Sequence, residues 1–155
     1  MQGSNVSKPG AIIVDIDGTV ALRGTRDPHD LDHVLQDQPN WGVIEAVSCM
    51  QVMGYHTVFV SGRQEKCRAD TALWLQRNNL IEDHLNPENG SYRWSLLMRA
   101  NGDGRPDELV KDQIFQEQIE PFYRVACVFD DRDKVVRMWR EKHKLTVLQV
   151  AYGDF

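Results

Sequence analysis

Cysteine is scarce and unpatterned here: Cys49, Cys67 and Cys127 are odd in number and none stands in a Cys-x-x-Cys pair, so neither a disulfide framework nor a zinc site is encoded. A reduced, cytoplasmic setting is the expectation that follows. Long apolar runs are also missing. No stretch approaches the length of a membrane span, and Met1-Gln2-Gly3-Ser4-Asn5 lacks the charged and apolar regions of a signal peptide. Positive charge is short, with 18 Lys and Arg against 23 Asp and Glu, a net charge of −5 and a pI near 5.5. Such a chain has no global attraction for nucleic acid or an anionic membrane, so a polyanionic substrate would need a local basic patch. The five histidines show no metal-ligand spacing, and there is no internal repeat or low-complexity tract. No Gly-x-x-x-x-Gly-Lys-Ser/Thr loop is present, so this stretch cannot itself carry a P-loop kinase.

What is present is a strand–helix alternation. With 155 residues, 41% hydrophobic and 26% charged, the chain has room for one sizeable core. Five short apolar runs, at 12–14, 56–60, 96–98, 125–129 and 146–150, are nearly continuous in apolar character, the mark of strands buried on both faces of a parallel sheet. Between them, 41–53 places Val43, Ala46, Val47, Met50 and Met53 on one helical stripe, bounded by Pro39-Asn40 and Gly54. The segment 66–79 groups Cys67, Thr71, Trp74, Leu75 and Asn78 on one face. A third helix starts at Pro106-Asp107, where proline and an acid suit a helix beginning, and a fourth over 134–143 carries Val135, Met138 and Trp139. The alternation predicts a three-layer, Rossmann-like α/β domain over 11–155, with a mostly parallel central sheet of about five strands after a flexible lead-in at 1–10. The polar segment 22–38 reads equally as a flap over a pocket or a surface loop, and 86–93 as a surface turn; neither has room for a large cap domain.

The residues that carry chemistry cluster at strand ends. Ala11-Ile12-Ile13-Val14-Asp15-Ile16-Asp17-Gly18-Thr19 closes an apolar strand with two carboxylates one residue apart, where α/β sheets bind ligands. One carboxylate can attack phosphorus, and the other can protonate the leaving oxygen and later activate water. After the second strand, Ser61-Gly62-Arg63 offers a hydroxyl, an amide and a guanidinium fork that suit phosphate oxygens, or else an ordinary turn. Asp107 and Lys111 share a helix face; the lysine can neutralise phosphate and Asp15, or the two can be an exposed pair. Asp130-Asp131 follow the fourth strand, and adjacent carboxylates there need a cation, so with Asp15 they point to Mg²⁺. Arg23, Arg26, Arg63, Lys66 and Arg68 can supply the local basic patch, while Tyr92 or Trp94 can stack on a base or belong to the core.

In order and strand position, Asp15-x-Asp17-Gly18-Thr19, Ser61, Lys111 and Asp130-Asp131 resemble all four motifs of the haloacid dehalogenase superfamily of phosphatases. Val60-Ser61-Gly62-Arg63, Val110-Lys111-Asp112-Gln113-Ile114-Phe115, the run from Asp130 to Arg140 and the ending Gln149-Val150-Ala151-Tyr152-Gly153-Asp154-Phe155 are more closely similar to the phosphatase domain of phage-type polynucleotide kinase-phosphatases. The resemblance spans nearly the whole chain. It implies a Mg²⁺-dependent polynucleotide 3′-phosphatase acting on DNA or RNA 3′ ends, 2′,3′-cyclic ends included, through an aspartyl phosphate. It implies Asp15 as nucleophile, Asp17 as general acid/base, Ser61, Gly62, Arg63, Lys111 and Arg26 as phosphate ligands, and Asp107 in support. Asp15, Asp17, Asp130 and Asp131 would form the Mg²⁺ site. Partners would be a 5′-kinase domain or a ligase of one repair pathway, with no membrane, in the host cytoplasm if a phage encodes it. The segment 80–99 departs from the family pattern. The alternatives are a small-molecule nucleotidase of the same superfamily and a catalytically silent binding module of a repair assembly, the latter disfavoured by the intact Asp15 and Asp17.

Overall fold

A computed structural model, describing residues 7–154, places a five-stranded sheet between two helical layers. In chain order the elements are β1 (Gly10–Val14), the short β2 (Ala21–Leu22) and β3 (Gln38–Pro39), α1 (Trp41–Val52), β4 (His56–Gln64), α2 (Arg68–Arg77), β5 (Trp94–Arg99), α3 (Asp107–Ile114), β6 (Arg124–Asp130), α4 (Asp133–Glu141) and β7 (Val147–Gln149). The main sheet runs β5-β4-β1-β6-β7, and every pairing in it is parallel. Parallel strands need long crossovers, and here the helices that supply them cover both faces.

Side chains alternate along β1. Ile12 and Val14 belong to the core formed with Ile44, Val47, Trp74 and Leu75 of α1 and α2, and Ala11 and Ile13 to the core formed with Val110, Ile114, Val135 and Trp139 of α3 and α4. Covered on both faces, β1 reads apolar at every position and not at every second one. The strand order reverses between β1 and β6, which opens a crevice beyond their carboxyl ends. Asp15 follows β1 and Asp130 ends β6, so the topology alone brings them to that crevice.

Several boundaries differ from the sequence reading. The strand expected to stop at residue 60 continues through Gln64, because the Arg99 Nε donates to the Gly62 carbonyl at 2.8 Å and keeps β4 beside β5 across a register shift between Ser61 and Gln64. The segment expected to begin as a helix at 66 starts with a 3-10 turn at Glu65–Cys67, and α3 continues into a π turn at Phe115–Ile119. The β2–β3 ribbon was not legible, since two residues per strand carry no periodicity. Of the lead-in expected over 1–10, residues 1–6 lie outside the described residues, whereas Gly10 already pairs with Arg124 in the sheet. No helix among the described residues is long and apolar enough to cross a membrane.

Candidate active site

The crevice has an acidic pole built on Asp15. This residue is 5% exposed, and Lys111 from α3 donates from Nζ to Asp15 Oδ1 at 2.6 Å and to Asp130 Oδ2 at 3.1 Å, with Asp107 Oδ2 at 3.4 Å. The Thr19 hydroxyl donates to Asp15 Oδ2 at 3.1 Å and to Asp131 Oδ1 at 3.4 Å, and the Trp139 indole N–H donates to Asp130 Oδ2 at 3.3 Å. Carboxylate oxygens of Asp15, Asp130 and Asp131 lie within 4.8 Å of one another. Burial pushes the Asp15 carboxyl well above the usual range; Lys111 opposes this, and Asp130, Asp131 and Asp107 add to it. Burial and Asp130 likewise raise Asp131. Burial alone would lower Lys111, yet Asp107, Asp130 and Asp15 hold it well above its ordinary value. One lysine among these acids leaves the pole short of positive charge. Three hard oxygen donors so placed fit a divalent cation of the Mg²⁺ type.

A second pole holds Asp17. Arg63 grips it with Nε on Oδ2 and Nη2 on Oδ1, both at 2.9 Å, and Arg26 Nη2 reaches Oδ1 at 3.1 Å. Beneath them sits Asp37, which accepts from Arg26 Nε and Nη2 and from Arg63 Nη2, each at 2.7 Å. Burial would raise Asp17, but the hydrogen bond and charge of Arg63, with the charges of Arg26 and Arg23, hold it below the usual aspartate value. Asp17 is therefore ionised in the free protein.

Most of the expected site residues converge, with three differences in what they touch. Asp17, expected in the cation site, turns its carboxylate to Arg63 and Arg26, and stands apart from the Asp15–Asp130–Asp131 cluster. Arg63 and Arg26, expected on phosphate, spend their guanidinium groups on Asp17 and Asp37; Arg63 lines the cavity, whereas Arg26 is not among the lining residues. Both Arg63 and Asp37 are buried at the side chain, so this carboxylate–guanidinium cluster sets where Asp17 points. Ser61 is fully buried, and its Oγ accepts the Arg63 amide N–H at 3.1 Å. Asp107 is held by Arg99 at 3.1 Å and by Arg132 at 3.7 Å as well as by Lys111, and so bridges α3 to the crevice.

Tyr92 and Trp94 are removed from this crevice. Trp94 opens β5, and the site lies beyond the carboxyl ends of the parallel strands, roughly 17 Å along a six-residue strand. The two rings pair with each other at 5.2 Å between centroids, and the Trp94 indole N–H donates to the Glu82 carbonyl at 2.9 Å, so neither is placed to stack on a terminal base. Three further residues shape the site: Asp37, Trp139 and Thr19, the last visible in the sequence only as a member of the Asp-x-Asp-Gly-Thr run. A lone Asp in a polar segment and a helical Trp carry no signal until the chain folds them under Asp17 and Asp130.

Two glycines keep the acidic loops in place. Gly18 turns with φ +82°, and a side chain there would run into the Asp131 carboxylate. At the other end of the chain, Gly153 packs on the backbone of Asp131 and Arg132, and its carbonyl accepts the Asp133 N–H at 3.0 Å. The Gln149 amide donates to the Asp131 carbonyl at 3.1 Å and to Asp133 Oδ1 at 2.7 Å, and the Val150 N–H to the Asp130 carbonyl at 3.1 Å. A Cβ at 153 meets backbone, which cannot move cheaply. Gly153→Ala is expected to lower the melting temperature by roughly 2–8 °C, the cost of overpacking a rigid contact. A thermal melt equal to that of the parent chain would show that the contact is loose.

The crevice opens into a cavity of about 450 Å³ lined by Asp15, Asp17, Arg23, Lys66, Asp131 and Arg132, with Pro28, His29 and Leu31 contributed by the segment 22–38. That segment therefore forms part of the site wall. The chain is similar to several known proteins. The family model described as the polynucleotide kinase PNKP phosphatase domain matches residues 9–155. A protein of Autographa californica nuclear polyhedrosis virus, named as a candidate bifunctional polynucleotide kinase/RNA ligase, is 37% identical over 148 residues, which is 92% of this chain and 20% of that protein. A chain solved in a Pnkp1/Rnl/Hen1 complex superposes with a TM-score of 0.86 at 35% identity, covering 97% of this chain and 49% of the other. A second structure, of the Pnkp1/Rnl/Hen1 RNA repair complex, gives 0.87 at 35% identity over 97% and 45%. This chain thus spans a fifth to a half of the relatives it matches. The class C acid phosphatase of Bacillus anthracis, at 15% identity and a TM-score of 0.60, shares the fold.

Proposed function

Because the chain belongs to the polynucleotide kinase PNKP phosphatase-domain family, we propose that it is a Mg²⁺-dependent polynucleotide 3′-phosphatase. The observation that carries this is the contact of Lys111 Nζ with Asp15 Oδ1 at 2.6 Å beside the Asp130–Asp131 carboxylates: a buried carboxylate held by an ammonium group within a cluster of three acids. Asp15 forms a bond to phosphorus as the bond from phosphorus to the 3′ oxygen breaks, and Asp17 gives that oxygen its proton. Water then attacks the aspartyl phosphate, Asp17 takes the proton, and phosphate leaves with Asp15 regenerated. Lys111 offsets the charge on the transferred group throughout.

Asp17 starts ionised because Arg63 and Arg26 hold it so. A phosphate dianion brought beside it raises its proton affinity, so substrate arrival loads the acid. A Mg²⁺ on Asp15, Asp130 and Asp131 would supply the missing positive charge for the phosphate oxygens. The names of the viral relative and of the RNA repair complex join polynucleotide kinase or Pnkp1 to ligase and repair functions. We extend that company to this chain, with a kinase and a ligase as partners and RNA 3′ ends as the first substrate to test.

With Mg²⁺, the purified protein is expected to release inorganic phosphate from a 3′-phosphorylated oligoribonucleotide, and to stop when EDTA is added. Absence of release from both RNA and DNA oligomers in Mg²⁺ would falsify the assignment.

A further inference from the structure

The basic patch expected from the sequence divides in two once side-chain partners are known. Arg26 and Arg63 are bound to Asp17 and Asp37, and Arg68 donates to Glu65 at 2.6 and 2.5 Å and to the Leu96 carbonyl at 2.9 Å. A guanidinium already neutralised by a carboxylate adds little net attraction for a polyanion. Arg23 and Lys66 differ. Neither side chain has a hydrogen bond or ion pair among the described residues: Arg23 acts on Asp17 only through its charge, and for Lys66 only the backbone N–H is engaged, with Asn101 Oδ1 at 2.8 Å. They come from two separate segments, Arg23 from the chain just past β2 and Lys66 from the turn just past β4, yet both line the one cavity that holds Asp15 and Asp17. Pro28 and Leu31 of the wall segment give that cavity an apolar surface against which a nucleoside can lie.

We propose that Arg23 and Lys66 form a subsite for an internucleotide phosphodiester, so that the terminal phosphate sits at Asp15 while the preceding phosphate of the strand sits at this cation pair. The proposal rests on the phosphatase reading above and adds a chain-length preference to it. A chain of net charge −5 repels a polynucleotide at long range, so attraction must come from cations that are not locked in an ion pair of the protein's own. A free nucleoside 3′-monophosphate has only the reacting phosphate and gains nothing from the pair.

The test compares the parent chain with Arg23→Ala, Lys66→Ala and the double variant. Substrates are a 3′-phosphorylated pentanucleotide and a nucleoside 3′-monophosphate, assayed over a range of KCl. In the double variant the ratio of kcat/KM for the pentanucleotide to that for the mononucleotide is expected to fall about tenfold. The slope of log kcat/KM against log salt for the pentanucleotide should become shallower by about 0.7 for each cation removed. Fluorescence anisotropy of a labelled 3′-phosphorylated pentanucleotide, which needs no turnover, should show the same loss of affinity. An unchanged ratio with unchanged anisotropy, or an equal loss on both substrates, overturns the subsite. A parent chain that binds the oligomer through this pair but hydrolyses neither substrate overturns the phosphatase reading and leaves the subsite standing.

Discussion

Asp15→Asn is expected to abolish phosphate release, by roughly four or more orders of magnitude, while the melting temperature of the metal-free protein stays equal or rises. The amide has nearly the shape of the carboxyl and can still present an oxygen to Lys111, so the cavity need not rearrange. Charge is what changes. Asp15 is buried beside Asp130 and Asp131, and burial together with those neighbours already disfavours its ionised form. Removing the charge therefore relieves repulsion in the absence of a cation, while Lys111 keeps Asp107 and Asp130 as partners. The carboxylate proposed as nucleophile is lost outright. Added Mg²⁺ should stabilise the variant less than the parent, because one of three clustered donors is neutral. Phosphate release, thermal melts and melts in Mg²⁺ check the three parts. Persisting turnover would remove Asp15 as the nucleophile, and a large drop in the metal-free melting temperature would contradict the electrostatic account.

Lys111→Met is expected to cost both stability and rate. The side chain is 1% exposed, and its ammonium group is the cation shared by Asp15, Asp107 and Asp130. Methionine fills similar space, so the loss is one of charge and not of packing. Leaving buried carboxylates without their partner costs about 3–5 kcal/mol, or roughly 10 °C in a domain of this size. The rate should fall by about two to three orders of magnitude, the scale on which a placed electrostatic stabiliser acts. The sign with pH follows from the directions of the shifts. Lys111 is held above its ordinary value, so its contribution is complete at neutral pH and is lost only as pH rises through its folded-state value. Asp15 is already raised and rises further without Lys111, so it protonates more readily as pH falls. The gap in melting temperature between parent and variant should therefore narrow from pH 7 to pH 5. A gap that is flat or widens over that range would mean that the carboxylates do not carry the penalty.

How much of this was legible in the sequence depended on whether a signal was local. The five strands and the two-sided core showed up as continuous apolar runs, since a strand covered on both faces must be apolar at each position. Asp15, Lys111, Asp130 and Asp131 were legible because each stands at a strand end or on a helix face, and the parallel order carries all of them to one crevice. Local signals failed where function depends on a distant partner. Asp37 is an ordinary acid in a polar segment until the fold sets it under Arg26 and Arg63. Arg63 reads as a phosphate fork because it follows a strand, and no local signal shows that β4 continues past it and that its guanidinium meets Asp17 and Asp37 at the edge of the cavity. Tyr92 and Trp94 have the right chemistry for a base, yet they stand at the amino end of β5, away from the crevice.

The sequence by itself determined the layering, the strand-end placement of the two aspartates and the acidic pair that follows the fourth apolar run, because apolar runs and the residues that end them are short-range facts. Only the tertiary structure decided which charges are already spent. An ion pair forms between groups far apart in the chain, such as Asp17 with Arg63 or Asp15 with Lys111, and its presence cannot be read from either partner alone. Among the basic residues of the expected patch, that accounting leaves Arg23 and Lys66 to meet a polyanion, and the remainder hold the protein's own carboxylates in place.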